Sequence, residues 1–443
     1  MTGDWRNYPF ELVPGDSQMD FPAAEGQHPD QESDTWFIAG ELAAADRSFA
    51  FLTIFNRNRP GGSIVADFYT LALFDLDTGE YGTYTDYDMP PASMEPGATP
   101  KMSSAVGYLD VAYDTGTGTA RWATLRDADG ALRPYSYEIS LVGTDQVGQP
   151  MRLDLTVTPT RAPTPLGAST YNGKIACFGQ DDTYSYFQTG MTMSGTLRWG
   201  ATEEQVSGTA GHVDRQWFPK YAGGGTGEPP RTRSHEWRTI NFDNGVDMSI
   251  WRQFLRTEGN ALQPFSGITT SYPDDRPPQC AEDFEVTIDS YVRWPDAVRT
   301  LIRPPTKARY MPDRHRITCA ALDLDIVGEP LVAAPAHGLP IEYMEGPYRY
   351  RGTLAGQAVT GFAFNERSLA MYRDWELVDV LAARVTELGS AEPGLDELVE
   401  RVRSLVVSGR HSEARELLKT LDPGRDELLA TVVQDLITEL SRG

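Results

Sequence analysis

The sequence predicts a mainly β protein with an α-helical C-terminal appendage. From Trp36 to about Arg256, and again from about Cys280 to Tyr372, short segments rich in Tyr, Thr, Val and Phe alternate with a period of two between turn sequences such as Asp-Asn-Gly. This alternation is typical of antiparallel strands joined by tight turns. After about Arg373 the apolar residues recur at helical spacing instead. Antiparallel barrels or sandwiches followed by helices account for both patterns.

The chain length indicates more than one domain. Its 443 residues are too many for one ordinary hydrophobic core, which predicts two or three domains. We divide the chain into a leader (1–33), an N-terminal β domain (34–256), a C-terminal β domain (257–372) and a helical tail (373–443). The leader is polar, acidic and contains proline, so we expect it to wrap the surface or fray.

Alternating segments place the predicted strands. In the first block they are Trp36–Leu42, Phe49–Phe55, Val65–Phe74, Ala105–Tyr113, Tyr135–Leu141, Arg152–Thr158, Tyr186–Leu197, Glu236–Phe242 and Met248–Leu255. In the second block they are Phe284–Val292, Arg316–Ile326, Glu342–Leu354 and Ala358–Phe364. Pro-rich stretches at 263–278 and 331–340 separate strands of the second block.

The tail carries two sets of apolar residues at helical spacing. They are Leu395, Leu398, Val402, Leu405 and Val406, and then Leu428, Val432, Leu436 and Leu440. Gly409 ends one helix, and Asp422-Pro423-Gly424 separates two others. We expect a helical hairpin or small bundle that serves packing or oligomerisation.

Charge, cysteine usage and hydropathy narrow the class of protein. The formal net charge of -24 argues against binding nucleic acid or an anionic membrane surface, since both need clustered cations. The three cysteines lie far apart and lack a CxxC spacing, which predicts neither a disulfide framework nor a zinc site. Without an N-terminal signal pattern or an apolar run of about 18 residues, a soluble cytoplasmic protein is expected.

Motifs for common cofactors are missing from the sequence. The glycines at 223–227 are not followed by Gly-Lys-Ser/Thr, and no dinucleotide-binding fingerprint follows a strand. The six histidines are scattered without metal-ligand spacing. We therefore expect no metal and no cofactor, and an apolar small molecule as the partner.

The richest cluster of functional residue types is Gly211-His212-Val213-Asp214-Arg215-Gln216-Trp217. His235-Glu236-Trp237 follows on the next predicted strand, after a glycine-rich loop at 221–230. Carboxylate, amide and imidazole groups framed by indoles are what an apolar pocket with a few directed polar groups requires.

The order of these motifs resembles the carotenoid 1,2-hydratase (hydroxyneurosporene synthase)/AttH family over about residues 34–372. The matching motifs are Trp36-Phe37-Ile38-Ala39-Gly40-Glu41-Leu42, Ser194-Gly195-Thr196-Leu197, Val206-Ser207-Gly208, Asp214-Arg215-Gln216-Trp217, Trp237 and Trp251 around Asp243-Asn244-Gly245, Glu345-Gly346-Pro347-Tyr348, and Gly361-Phe362-Ala363-Phe364-Asn365-Glu366. Phe218-Pro219 replaces the glycine that often follows the signature tryptophan.

The resemblance implies two lipocalin-like β-barrel domains around an apolar cavity and an isoprenoid or polyketide-like substrate. Activities in this family include hydration of an isoprenoid double bond and isomerisation or cyclisation of related chains, and some fungal relatives resemble pericyclic cyclases. The first hypothesis is therefore a cofactor-independent hydratase, isomerase or cyclase that protonates a double bond. The alternatives are a non-catalytic lipid carrier and a Diels–Alderase-like pericyclic cyclase.

Each step of acid chemistry has a candidate residue. Asp214 is the candidate acid, since burial can keep a carboxyl group protonated. His235 is a candidate proton relay and Glu366 a candidate second acid. Aromatic faces stabilise carbocations, and the candidate substrate-binding residues are Trp217, Trp237, Trp251, Arg215 and Trp36.

The same residues also have structural interpretations. Asp214 and Arg215 could form an ion pair that orders the glycine-rich loop, and His235 could satisfy a buried backbone group. Glu366 is more simply explained by a strand-end ion pair with Arg367. Tryptophans more often fill a barrel core than line an active site.

Overall fold

The computed structural model describes residues 4–62, 64–88, 99–177, 180–220, 231–274, 276–295, 297–298, 300, 302–389 and 394–442. Two large curled antiparallel sheets and a set of C-terminal helices form most of this part of the chain, together with two small two-stranded sheets. The predicted mainly β fold class, with two barrel-like units and a helical appendage, is confirmed.

The elements follow one another in chain order. The strands are β1 (Phe10–Glu11), β2 (Asp20–Phe21), β3 (Ser33–Ala43), β4 (Ser48–Asn58), β5 (Phe68–Asp75), β6 (Tyr81–Tyr87), β7 (Met102–Ser104), β8 (Asp110–Asp114), β9 (Thr119–Arg126), β10 (Leu132–Thr144), β11 (Pro150–Pro159), β12 (Thr164–Pro165), β13 (Lys174–Cys177), β14 (Gln180–Thr189), β15 (Met191–Trp199), β16 (Thr202–Gly208), β17 (Gly211–Phe218), β18 (Arg233–Phe242), β19 (Asp247–Leu255), β20 (Ala261–Leu262), β21 (Gly267–Ser271), β22 (Cys280–Ala281), β23 (Glu285–Ile288), β24 (Tyr291–Arg293), β25 (Tyr310–Pro312), β26 (His315–Cys319), β27 (Leu324–Pro330), β28 (Tyr343–Leu354) and β29 (Gln357–Ser368). The α-helices are α1 (Ala168–Tyr171), α2 (Asp374–Leu388), α3 (Leu395–Val407), α4 (His411–Leu418) and α5 (Glu427–Glu439).

The two main sheets divide the chain between β17 and β18. The first sheet runs β12-β14-β17-β3-β16-β15-β11-β10-β9-β8-β7, with β4, β5 and β6 continuing from β3. The second runs β22-β21-β19-β18-β29-β28-β27-β26-β23. The sequence placed β18 and β19 in the N-terminal unit ending at 256, but β18 hydrogen bonds to β29 and so belongs to the second sheet. A partner more than 100 residues away decides this boundary, and local sequence carries no signal for it.

A third hydrophobic core lies between the sheets, in addition to the core inside each one. Alternation along β3 shows how one strand serves two cores. Trp36 and Ile38 enter the core of the first sheet, whereas Phe37 and Ala39 enter the core between the sheets. The second sheet meets this shared core with residues such as Trp237.

The leader is part of the first core. Phe10, Met19 and Phe21 are nearly inaccessible and pack inside the first sheet. The buried Glu25 carboxylate accepts hydrogen bonds from the hydroxyls of Tyr8, at 2.6 Å, and Tyr137. The expectation of a surface-wrapping or frayed leader is therefore wrong for the described residues, because aromatic side chains in a polar segment fill the open barrel.

Two predicted strands are each divided by a turn. Gly190, at φ 64°, separates β14 from β15 within the predicted strand Tyr186–Leu197. The predicted strand Arg316–Ile326 is a hairpin of β26 and β27, with Asp323 at φ 46° in the turn. Such backbone conformations reverse the chain and favour glycine or aspartate.

The helical tail packs against the second unit. Its apolar residues form one cluster with Tyr310 of β25, and Val402, Val432 and Leu436 are fully buried there. The fully buried Arg256 and Glu376 join α2 to the end of β19, with 2.8 Å between Nη2 and Oε2. Among the described helices, none has the length and apolar character needed to cross a membrane.

Candidate active site

A cavity of about 240 Å³ lies between the two sheets. Strands β3, β4, β5 and β17 form one wall, and β18, β19, β28 and β29 form the other. The lining residues are Ser33, Thr35, Phe37, Ile54, Asn56, Asn58, Phe68, Asp214, Gln216, Phe218, His235, Trp237, Trp251, Ile302, Leu339, Pro340, Ile341, Tyr343 and Glu366. Five of the predicted site residues therefore meet here, from strands far apart in sequence.

Asp214 supplies the carboxyl group of the first sheet. It is 4% exposed, and its oxygens accept hydrogen bonds from Gln216 Nε2 at 2.8 Å and Ser185 Oγ at 3.3 Å. Burial raises the pKa of Asp214 to about 7, against the opposing effect of these two hydrogen bonds, and the nearby Glu366 raises it further. Near neutral pH this group is a usable proton donor.

His235 and Glu366 face Asp214 from the second sheet. His235 Nε2 hydrogen bonds to Glu366 Oε1, and His235 Nδ1 lies 2.9 Å from Ser368 Oγ. With Nε2 donating to the carboxylate, Nδ1 accepts from the serine hydroxyl, which matches the one donor and one acceptor of a neutral imidazole. Tyr343 also hydrogen bonds to Glu366 through its side chain. The pair is thus held in one orientation.

The strand register aligns four site residues in one row. Trp251 pairs with Trp237, Trp237 with Glu366, and Glu366 with Glu345 across β19, β18, β29 and β28. Direct cross-strand partners lie on the same face of a sheet. Two indoles and two carboxyl groups therefore stand side by side, and the His235 ring stacks on Trp251 with 5.1 Å between centroids.

Glu345 is a functional candidate that the residue-level sequence argument did not single out. Its side chain is fully buried, and neither carboxyl oxygen has a hydrogen-bond partner among the described residues. Burial, then Glu366, then Asp214 raise its pKa well above the usual range. The two-residue turn between Leu354 and Gln357 fixes the register that places Glu345 opposite Glu366, so hairpin counting could have found it.

His212 lies deeper in the same inter-sheet layer. It is 1% exposed. Its ring stacks on Phe187, with 5.2 Å between ring centroids, and packs edge-on against Trp237, with 5.1 Å between centroids. Neither ring nitrogen has a hydrogen-bond partner within the described chain, and burial lowers its pKa to about 3. His212 is therefore neutral across the physiological range and does not supply a proton.

Arg215, Trp217 and Trp36 lie outside this cavity. The Arg215 guanidinium is 4.2 Å from the Trp36 ring centroid and donates to Gly26 O at 2.6 Å. Trp217 is fully buried and stacks on His28 of the leader, with 4.0 Å between the ring centroids. Their predicted place in a substrate pocket is corrected: alternate residues of a strand point to opposite faces, and these three face the core of the first sheet.

Two structural interpretations are also corrected. Arg215 pairs with Asp34, at 3.4 Å, rather than with Asp214. Arg367 donates to Glu236 at 2.8 Å on the far face of the second sheet, while Glu366 pairs with His235. In both cases the neighbours in sequence diverge because consecutive strand residues alternate between faces. The glycine-rich loop at 221–230 lies outside the described residues.

No group of three or more His, Cys, Asp and Glu residues within the described ranges is arranged to hold a metal ion. The cavity instead combines carboxyl groups, one imidazole, amides and indoles. This set can donate a proton, accept one and surround a cation with aromatic faces.

Comparisons with known proteins agree with the geometry of the fold. A family model described as AttH-like matches residues 102–366. The crystal structure of an AttH-like protein from Nitrosomonas europaea superposes with a TM-score of 0.59, at 17% identity, over 81% of this chain and 99% of that chain. Kievitone hydratase from Nectria haematococca superposes with a TM-score of 0.55, at 14% identity, over 82% and 97%.

At such low identity the two structures establish a shared fold. A search of curated proteins gives no match to the sequence. The family model, however, covers more than half of the chain and spans both Asp214 and Glu366. On this evidence the chain belongs to the AttH-like family.

Proposed function

We propose that the protein is a cofactor-independent hydratase, isomerase or cyclase that protonates a carbon–carbon double bond in the inter-sheet cavity. The proposal rests mainly on the environment of Asp214. This carboxyl group is buried in a cavity lined by Trp237 and Trp251, and burial is the main cause that raises its pKa to about 7. An ordinary surface carboxyl group would be ionised at neutral pH and unable to donate.

Protonation is the first step. The O–H bond of Asp214 breaks as a new C–H bond forms at one alkene carbon, which leaves a carbocation at the other carbon. The faces of Trp237 and Trp251 stabilise that cation, with an attraction of about 2 kcal/mol for a desolvated contact. The Asp214 carboxylate formed in this step keeps its hydrogen bonds from Gln216 and Ser185.

Deprotonation completes the reaction. In hydration, a water oxygen bonds to the cation and releases a proton to the His235–Glu366 pair. In isomerisation or cyclisation, the same pair accepts the proton from a carbon next to the cation. The hydrogen bond between His235 and Glu366 orients the imidazole for this role. The proton count balances, because one proton enters from Asp214 and one leaves to the pair.

The cavity also constrains the substrate. Its volume of about 240 Å³ is smaller than that of typical ligand pockets, which run from about 300 Å³ upward. We infer a short isoprenoid, or one isoprenoid segment of a larger molecule, as the group that enters. Asn56 and Thr35 add a polar side to the wall, which suits a hydroxyl or carbonyl group on that molecule.

The test is a search for a bound or converted isoprenoid. Native mass spectrometry of the purified protein, followed by solvent extraction, identifies any co-purifying molecule. Kievitone, because its hydratase shares this fold, and short isoprenoids are then incubated with the protein in deuterated water. Deuterium on carbon in the product supports acid catalysis. Conversion without deuterium supports the pericyclic alternative, and binding without conversion supports a carrier.

A further inference from the structure

Three carboxyl groups converge on one buried region, and only two of them have donors. Asp214 accepts from Gln216 and Ser185, and Glu366 accepts from His235 and Tyr343. Glu345, fully buried, has no donor to either oxygen among the described residues. A buried ionised carboxylate without a donor or a cation costs several kcal/mol, so such a group takes up a proton instead.

The groups around Glu345 offer it no positive charge. The titratable groups that act on it are the carboxyl groups of Glu366 and Asp214, and each disfavours its ionisation when it is itself ionised. His337 Nε2 contacts the backbone oxygen of Glu345 at 2.7 Å rather than its side chain, and burial lowers the pKa of His337 to about 4. No guanidinium or ammonium interaction with Glu345 is found in the described part of the chain.

A protonated Glu345 needs an acceptor, and the strand register supplies one. Glu366 is its direct partner across β28 and β29, and cross-strand partners have Cβ atoms about 5 Å apart on the same face. Two glutamate side chains at that spacing can reach each other. A carboxylate has about four acceptor positions, of which His235 and Tyr343 occupy two on Glu366.

We propose that Glu345 is a permanently protonated carboxylic acid that donates a hydrogen bond to Glu366 and positions it for His235. Glu345 is a positioning residue, since it does not line the cavity and acts through Glu366. The catalytic importance of Glu345 rests on the proposed function, because Glu366 and His235 are the proton acceptor in that reaction. The protonation state itself is independent of any reaction.

Infrared difference spectroscopy tests the protonation state. At pH 9, Asp214 is ionised because its pKa is about 7, so a protonated carboxyl band in the wild type minus Glu345→Gln spectrum is expected to come from Glu345. Labelling with ¹³C-glutamate should shift this band, and Asp214→Asn should leave it in place. Absence of the band at pH 9 would show an ionised Glu345 and overturn the proposal. If Glu345→Gln does not fold, the labelled wild type titrated from pH 5 to 9 gives the same answer.

The partnership with Glu366 has its own test. In Glu366→Gln the acceptor becomes a neutral amide, so the Glu345 carbonyl band should move to the frequency of a weaker hydrogen bond. An unchanged band would show that Glu345 donates elsewhere. A second readout is the pH dependence of turnover. Glu345→Gln retains a hydrogen-bond donor and should keep this profile. Glu345→Leu removes the donor and should shift the part of the profile set by the His235–Glu366 acceptor by about one pH unit.

Failure of this proposal and failure of the proposed function are distinguishable. If no panel molecule is bound or converted, the proposed reaction falls, and the infrared result for Glu345 stands unaffected. If the infrared band is missing while deuterium still enters the product, the role of Glu345 falls and acid catalysis stands.

Discussion

Asp214 and Arg215 are consecutive in sequence and face opposite sides of β17. Asp214 lines the cavity between the sheets, and Arg215 stacks on Trp36 inside the first sheet. The motif that contains both residues thus serves two purposes, because a strand presents alternate residues to opposite faces. The two side chains should therefore respond differently to substitution.

Asp214→Asn should lower turnover by about 10²-fold or more while ligand binding is retained, because the amide keeps the shape of the carboxyl group but donates no proton to carbon. Steady-state kinetics and a binding titration with the first substrate from the panel measure the two effects. Asp129→Asn, on an exposed turn of the first unit, is the matched control and should leave both unchanged. Turnover at the parent rate in Asp214→Asn would remove its role as the acid.

The pH dependence of stability should report the same carboxyl group. Its pKa is raised by burial to about 7 in the folded protein, against about 3.9 in an unfolded chain. The folded state therefore binds this proton more tightly, so the contribution is fully present below about pH 4 and is lost as the pH rises through about 7. Relative to Asp214→Asn, the wild type should lose up to about 4 kcal/mol of unfolding free energy between pH 4 and 8. Urea titrations at several pH values measure the unfolding free energy of both proteins. If the two free energies change with pH in parallel, Asp214 does not have a raised pKa.

Turnover should decrease as the pH rises through about 7, since only protonated Asp214 can donate. This decrease is measured as kcat/KM against pH, with a substrate that the protein converts. A flat profile from pH 6 to 9 would favour the pericyclic alternative, in which no proton moves.

Arg215→Met should destabilise the fold rather than the site. The substitution leaves the buried Asp34 without one of its cations and removes the contact with Trp36, at a cost of about 3–5 kcal/mol. Lys220→Met, which breaks an exposed pair with Glu32, should cost less than about 1 kcal/mol. Denaturant unfolding compares the two. A normally stable Arg215→Met that fails to bind ligand would return Arg215 to the substrate site.

The attachment of the helical tail depends on Arg256 and Glu376. Either Arg256→Met or Glu376→Leu alone should cost about 3–5 kcal/mol, because each leaves a charge buried without its partner. The double variant should recover much of that loss, which a double-mutant cycle on unfolding free energies would show. Purely additive losses would mean that the two side chains act separately.

The sequence was most informative where the pattern is local. Alternation identified most of the long strands, and helical spacing identified the tail, whose Val402, Val432 and Leu436 are buried as an apolar stripe requires. The polar average composition of the leader wrongly predicts an exposed segment, because the few aromatic residues in it determine where it packs.

The candidate site could be predicted only in part. Residue type and family resemblance predict five site residues that the structure places around one cavity: Asp214, His235, Trp237, Trp251 and Glu366. Glu345 occurs in the sequence only as part of a family motif, and its importance comes from its register opposite Glu366. Arg215 and Trp217 do not line this cavity, because β17 lies between two cores and the sequence does not show which core each of its faces meets.

The sequence by itself determined the classes of element and the chemical groups available to the protein, since side-chain periodicity and residue type are local properties. The tertiary structure decided which face of each strand meets the second sheet, and therefore which of those groups share the cavity. Strand alternation explains this division. It sorts the side chains of a strand onto two faces, but it does not determine which core each face packs against. Only pairings such as β18 with β29, more than 100 residues apart, make that choice.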